Sequence, residues 1–174
     1  MSITDQVHFG LMSLVHETLY GWIRDPYESL AAAGLQPGQR VLEVGCGPGH
    51  FTVPAARMVG EGGEVVALDI SPIAVAKVQA KAAKAGVGNI TTVLADASDT
   101  ALADSSFDLV FAFGLGHGRG DMYLMRNELH RLLKPDGVLA TEGVLWPSDR
   151  WFQPTGQQGS IHRFRRRVAI RDAR

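Results

Sequence analysis

Short, nearly continuous apolar runs in this chain alternate with longer stretches whose apolar residues recur every three or four positions. The runs are Val41-Leu42-Glu43-Val44, Glu64 to Ile70, Ile90 to Leu94, Phe107 to Phe113 and Val138 to Val144. Each has the length and the β-branched or aromatic content of a strand. Between them the pattern predicts helices. One covers Phe51 to Val59, with Pro54 tolerable only in its first turn and Gly60 as its stop. A long Ala/Lys/Val/Gln helix is capped by Ser71-Pro72 and stopped by Gly86 or Gly88. Another, capped by Asp121, sets Met122, Met125, Leu129, Leu132 and Leu133 on one face and ends at Lys134-Pro135-Asp136-Gly137. Upstream, Asp25-Pro26-Tyr27-Glu28 supplies an N-cap carboxylate, a proline at the first helical position and a Glu at N3. That helix is closed by Gly34 and followed by a turn at Pro37-Gly38. Residues 11–23 carry few breakers and read as a partly apolar helix lying over a site or another subunit.

Strands that are apolar on both sides, separated by helices, need a parallel sheet covered on both faces. The expected fold is therefore α/β, a doubly wound and mostly parallel sheet. With 174 residues one core suffices, and the chain divides into an N-terminal helical segment (1–34), a central sheet (35–146) and a basic tail (147–174). Composition adds exclusions. A chain 45% hydrophobic and 20% charged, with net charge −1, steers toward neither nucleic acid nor membrane. The single Cys46 excludes an internal disulfide or a multi-thiolate metal centre and points to a reducing, cytoplasmic setting. No stretch reaches the ~20 apolar residues of a membrane span, the first residues lack the pattern of a signal peptide, and the histidines lack ligand spacing, so no metal is expected.

In such a sheet ligands bind beyond the C-terminal ends of the strands, where the strand order reverses. After the first run comes Gly45-Cys46-Gly47-Pro48-Gly49, whose alternating glycines let a ligand approach the backbone. A dinucleotide motif of the form G-x-G-x-x-G would need glycine at position 50, where His50 stands. Glu43, just ahead of the turn, would repel a pyrophosphate and suits a cationic ligand such as a sulfonium or amine. Asp69 ends the second strand at the distance where a nucleotide-binding unit places its ribose-holding carboxylate. Asp96, in Leu94-Ala95-Asp96-Ala97, can accept from an exocyclic amine.

Val41-Leu42-Glu43-Val44-Gly45-Cys46-Gly47-Pro48-Gly49 closely resembles the first motif of class I S-adenosylmethionine-dependent methyltransferases. The resemblance continues through Ala67-Leu68-Asp69-Ile70-Ser71, Ala95-Asp96-Ala97, Phe107-Asp108-Leu109-Val110 and Leu132-Leu133-Lys134-Pro135-Asp136-Gly137, covering Leu35 to Val144. It implies that Gly45, Cys46 and Gly47 line the methionine part of S-adenosylmethionine, with Gly49 completing a turn that Glu43 orders. Asp69 would hold the ribose, Ile70 would pack on adenine, and Asp96 with the Ala97 amide would read its edge. Phe113 and Gly114 would face the methyl group, and the product would be S-adenosylhomocysteine. In Gly114-Leu115-Gly116-His117-Gly118-Arg119-Gly120-Asp121, His117 is the candidate general base and Arg119 an anion anchor. Cys46 reads as a small packing residue rather than a nucleophile.

The family usually adds a helix and an antiparallel strand pair after the fifth strand, which together need roughly 40 residues. The tail looks too short for this. Gln153-Pro154-Thr155-Gly156-Gln157-Gln158-Gly159 reads as loop, and Arg163 to Arg171 as a basic edge strand or disordered end. A shortened sheet would leave Val138 to Val144, or a strand near Val168 to Ile170, as an apolar edge, from which a two-fold homodimer is expected. The expected activity is methyl transfer to a small-molecule acceptor. The alternatives are a domain that binds the cofactor or a partner without catalysis, and an RNA methyltransferase using the arginine-rich tail; the absence of an Asn-Pro-Pro-Tyr type motif counts against the last.

Overall fold

Strand β1 (Arg40–Val44) lies at the centre of the sheet because its side chains meet apolar layers on both faces: Val41 belongs to one buried cluster and Leu42 to the other. The computed structural model describes residues 25–114, 121–143 and 150–167. The expected helix at residues 11–23 lies outside them. Among the described residues, β1 is joined by β2 (Glu64–Asp69), β3 (Ile90–Leu94), β4 (Phe107–Ala112), β5 (Leu133–Glu142), β6 (Phe152–Gln158) and β7 (Ile161–Arg166) in the order β3-β2-β1-β4-β5-β7-β6. β1 to β5 run parallel. The order reverses between β1 and β4, which opens a crevice at their C-terminal ends.

Among the described residues, four helices cover the sheet: α1 (Pro26–Ala33), α2 (Thr52–Val59), α3 (Pro72–Ala85) and α4 (Met122–Leu132). Leu30 and Ala33 of α1 and Ala55 and Val59 of α2 pack with Val41, Leu109 and Phe111 on one face. Leu129 and Leu132 of α4 pack with Leu42, Val110 and Leu139 on the other. Four of the expected caps form. Asp25 accepts from the Tyr27 amide at 2.8 Å, Asp121 from those of Tyr123 and Leu124, and Gly34 and Gly86 end their helices in the left-handed region. No helix among the described residues is long and apolar enough to cross a membrane.

Two expectations are corrected. Lys134-Pro135-Asp136-Gly137 does not separate helix from strand: α4 ends at Leu132 and β5 begins at the next residue, with Leu133 facing Phe107 and Val138 facing Leu109. The intervening residues form an irregularity within the ladder, where a Cβ on Gly137 would lie 2.8 Å from Leu133 Cδ2. Lys134 Nζ donates to Asp108 at 2.7 Å, and Asp108 also accepts from the Arg40 amide, so this segment ties β1, β4 and β5 together at the end away from the crevice.

The second correction concerns the C-terminal end. The Gln/Gly/Pro segment read as loop is strand β6, and β7 lies between it and β5, antiparallel to both. The sheet is thus completed within Phe152 to Arg166. Strand character was masked because β6 is an edge strand, exposed from Gln153 onward, where Pro154 and a register shift before Gly156 are tolerated. The hairpin's anchors on this face are few: Phe152 of β6 and Phe164 of β7 are fully buried with Leu139 and Trp151. β5 is not an open apolar edge, so the reason for expecting a homodimer through it is gone; Val168 to Ile170 lie outside the described residues. Truncating Phe164 to Ala should lower unfolding stability by about 3–5 kcal/mol in urea denaturation, the range for a buried aromatic. A loss within about 0.5 kcal/mol would mean that the hairpin is not part of the core.

Candidate active site

At the C-terminal end of β1 the chain must turn sharply while remaining bonded to β2. Gly45, Gly47 and Gly49 adopt φ of 72°, 49° and 79°, a left-handed alternation that side chains oppose. The amides of Gly45 and Cys46 donate to the Leu68 carbonyl at 2.8 and 3.0 Å, and the Gly49 amide donates to the Cys46 carbonyl. Nothing lies within 4 Å of where a Gly47 side chain would begin, so the backbone there is open to a ligand. At Gly49 the opposite holds: an added Cβ would stand 3.1 Å from Val78 of α3, so this glycine lets the helix close against the turn.

Two carboxyl groups flank the turn. Asp69, nearly buried at the end of β2, accepts from the Gly47 amide at 2.9 Å through one oxygen and from the Ser71 amide at 2.8 Å through the other. Glu43 lies beneath, 3% exposed, and accepts from the Thr52 hydroxyl at 2.5 Å. Burial pushes its pKa from 4.5 to about 8; the Thr52 hydrogen bond opposes that rise and the nearby Asp69 charge adds to it. The Cys46 thiol is driven upward by burial first and then by Glu43 and Asp69, which makes it a poor nucleophile. It packs with Ala67 and Val78, as a small core residue would.

Beyond β2 and β3 the side chains stand open. Ile70 is 70% and Leu94 56% exposed, leaving two large apolar groups in solvent beside each other's strand ends. Asp96 is exposed and accepts from both the amide and the hydroxyl of Ser98, which hold its pKa below the usual range, the hydroxyl more strongly. Ala97 is half-buried and packs against the core. The loop that carries both is held from the far side by Glu128 of α4, which accepts from the Thr100 hydroxyl at 2.6 Å and the Thr100 amide at 3.0 Å. Arg131 donates twice to the same carboxylate and also to Asp104, and chiefly through Arg131 the Glu128 pKa falls to about 2.

Phe113, expected with Gly114 to face the methyl group, stands just past the end of β4. It is buried among Phe111 and Phe51, ring centroids 5.2 and 5.1 Å away, and the exposed end of this segment is Gly114. His117 and Arg119 lie outside the described residues. Two site residues were not singled out in the chain pattern. Thr52, at the first position of α2, is recognisable only by the carboxyl it meets. Ser71 read as a helix cap, but its hydroxyl makes no capping bond and is buried without a hydrogen-bond partner beside Asp69. At the same end of the sheet, a cavity of about 310 Å³ lies between the start of α1 and the β6–β7 turn, lined by Asp25, Glu28, Ser29, Ala32 and residues 158–161.

Residues 41–137 match the family model for a methyltransferase domain. The chain is 38% identical over 112 residues to nocamycin O-methyltransferase of Saccharothrix syringae, covering 64% of this chain and 40% of that protein. It is 34% identical to the ubiquinone/menaquinone biosynthesis C-methyltransferase UbiE of Haemophilus ducreyi, covering 92% of this chain and 70% of that one. It therefore spans well under half of the first relative and about two thirds of the second. A solved SAM-dependent methyltransferase from Aquifex aeolicus has the same fold, with a TM-score of 0.67 over 80% of this chain and 87% of that one at 23% identity.

The raised Glu43 pKa has a consequence for stability. Between about 4.5 and 8 the folded chain holds a proton at this site that the unfolded chain has lost. The stabilisation is therefore complete below the unfolded value and is lost as pH rises through about 8. Glu43→Gln, which keeps an oxygen to accept from Thr52, should gain stability relative to the parent by up to about 5 kcal/mol as pH is raised through that window. Urea midpoints that stay parallel over the window would show that the carboxyl is ionised throughout.

Proposed function

We propose that this chain, which belongs to the class I S-adenosylmethionine-dependent methyltransferases, transfers the cofactor's methyl group to a small-molecule acceptor. The observation that carries the reading is the glycine turn, open at Gly47 and fixed at its flank by Asp69. The donor set fits the cofactor. The sulfonium-bearing methionyl portion suits the backbone of Gly45, Cys46 and Gly47 with Glu43 beneath, and a ribose suits Asp69 beside the unpartnered Ser71 hydroxyl. Exposed Ile70 supplies an apolar face for adenine, and Asp96 with the Ala97 amide supplies polar groups for its edge.

The cofactor brings an already activated methyl group, so the protein's part is chiefly alignment and exclusion of water. In this reading Asp69 performs two tasks, since the carboxylate that meets the ribose also holds the Gly47 amide and so shapes the turn. Phe113 backs the site from the core side. His117 serves as base for an acceptor that must lose a proton, and Arg119 anchors an anionic one. A cytoplasmic, reducing setting suits the lone buried thiol. The RNA reading loses support because Arg166 donates to the Leu133 carbonyl and Ser105, and Arg167 to the Phe152 carbonyl, holding the hairpin in place. The reading as a non-catalytic domain loses its ground with the completed sheet.

Calorimetry should show S-adenosylmethionine and S-adenosylhomocysteine binding at low micromolar levels or weaker, with no competition from NAD. Displacement of S-adenosylhomocysteine by NAD at comparable concentration would overturn the pocket assignment. Labelled cofactor incubated with extracted metabolites and, separately, with RNA identifies the acceptor class: label entering RNA alone would overturn the small-molecule reading.

Asp69→Ala should weaken S-adenosylhomocysteine by about 1.5–3 kcal/mol, roughly tenfold to a hundredfold. An unchanged dissociation constant in a variant with normal circular dichroism would remove Asp69 from the site.

A further inference from the structure

Among the described residues the carboxyl beneath the turn has no counterion of its own. Glu43 faces Ala67 of β2 and Phe111 of β4 across the ladders, both apolar, and Thr52 of α2, which offers it a hydroxyl. The titratable groups acting on it are Asp69 at the end of β2, which opposes its charge, and Cys46 in the turn; His50, the next in sequence, sets its ring edge-on to Phe51. Among the described residues no Lys or Arg is paired with it. A second carboxyl lies close enough to couple to it electrostatically, and the strands on either side leave little solvent access. Two like charges in so dry a place are costly unless a cation joins them.

We propose that Glu43 exchanges a proton for the cofactor's positive charge: it holds the proton while no ligand is present, releases it to solvent when S-adenosylmethionine binds, and regains one from solvent when the neutral thioether S-adenosylhomocysteine takes its place. The inference rests on the methyltransferase reading above. It assigns Glu43 a role in telling substrate from product, since the two ligands share their ammonium and carboxylate and differ at the sulfur. Burial keeps the free carboxyl protonated at neutral pH, its pKa lying at about 8, which leaves a proton available for exchange. A cation arriving above the turn stabilises the ionised form and lowers that pKa. Binding of the cationic ligand then improves as pH rises, because less of the protein must first lose its proton. The preference for S-adenosylmethionine over S-adenosylhomocysteine rises with it, and low pH favours retention of product.

Titration calorimetry of the unmodified full chain near pH 7, in two buffers of differing ionisation enthalpy, counts the protons released. The expected result is between about 0.5 and 1 proton per S-adenosylmethionine bound and distinctly fewer for S-adenosylhomocysteine. The affinity ratio of the two ligands should rise by up to about tenfold per pH unit below pH 8 and level off above it. Glu43→Gln should abolish the difference in proton release; if that variant does not fold, the comparison of ligands in the parent decides alone. S-adenosylmethionine binding without buffer-dependent heat, or with the same release as S-adenosylhomocysteine, would overturn the exchange while leaving the methyltransferase reading intact. Failure of either ligand to bind would overturn that reading and this inference together.

Discussion

One carboxylate joins the two strands on which the site is built. Asp69 accepts the Gly47 amide with one oxygen and the Ser71 amide with the other, so the turn after β1 and the turn after β2 are held by a single side chain. Amides in turns have no ladder partner, and buried ones left unpaired are strongly disfavoured. Supplying both bonds from one nearly buried residue fixes where the glycine turn stands relative to α3. The left-handed conformations at Gly45, Gly47 and Gly49 follow from the direction the chain must take to reach Asp69 and still enter α2. Glu43 is then enclosed by the geometry, since β1 is central and α2 begins directly over it.

The parallel part of the sheet was legible because local and global preferences coincide there. Central strands such as Val41–Val44 and Phe107–Ala112 are apolar on both faces wherever they sit, and Asp25, Asp121, Gly34 and Gly86 act on their own helices. The hairpin was not legible for the opposite reason. A strand at the edge needs no apolar alternation, and β6 keeps only Phe152 in the core, so its Gln, Pro and Gly residues carry the composition of a loop. Its strand identity comes from pairing with β7 across the turn at Gly159-Ser160, not from the apolar pattern of its own residues.

The site divides along the same line. Glycine spacing and acids at strand ends are properties of the chain and were readable as such. Hydroxyl partners are properties of the fold: Thr52 matters because α2 places it over Glu43, and Ser71 because its oxygen is enclosed without a cap to make. The packing of Phe113 is likewise a property of the fold: its ring meets Phe51, the residue just before α2, which the chain pattern does not bring to it. The Glu128–Arg131 pair belongs here too, since its effect on the loop bearing Asp96 depends on Thr100 arriving from elsewhere in the chain.

The placement of β7 between β5 and β6 also bears on the order of events during synthesis. The ribosome delivers β6 before the strand that must separate it from β5, so on emergence it has no neighbour to join. Only after Arg166 has left the exit tunnel can the two strands fold back on each other around Gly159-Ser160. Closure of a hairpin of this kind is local and takes on the order of microseconds. The pair then adds to β5 as a unit through β7, bringing Phe164 against Leu139. Until that moment the nascent chain carries β5 uncovered, a period in which chaperone engagement or premature contact with another nascent chain has its opportunity.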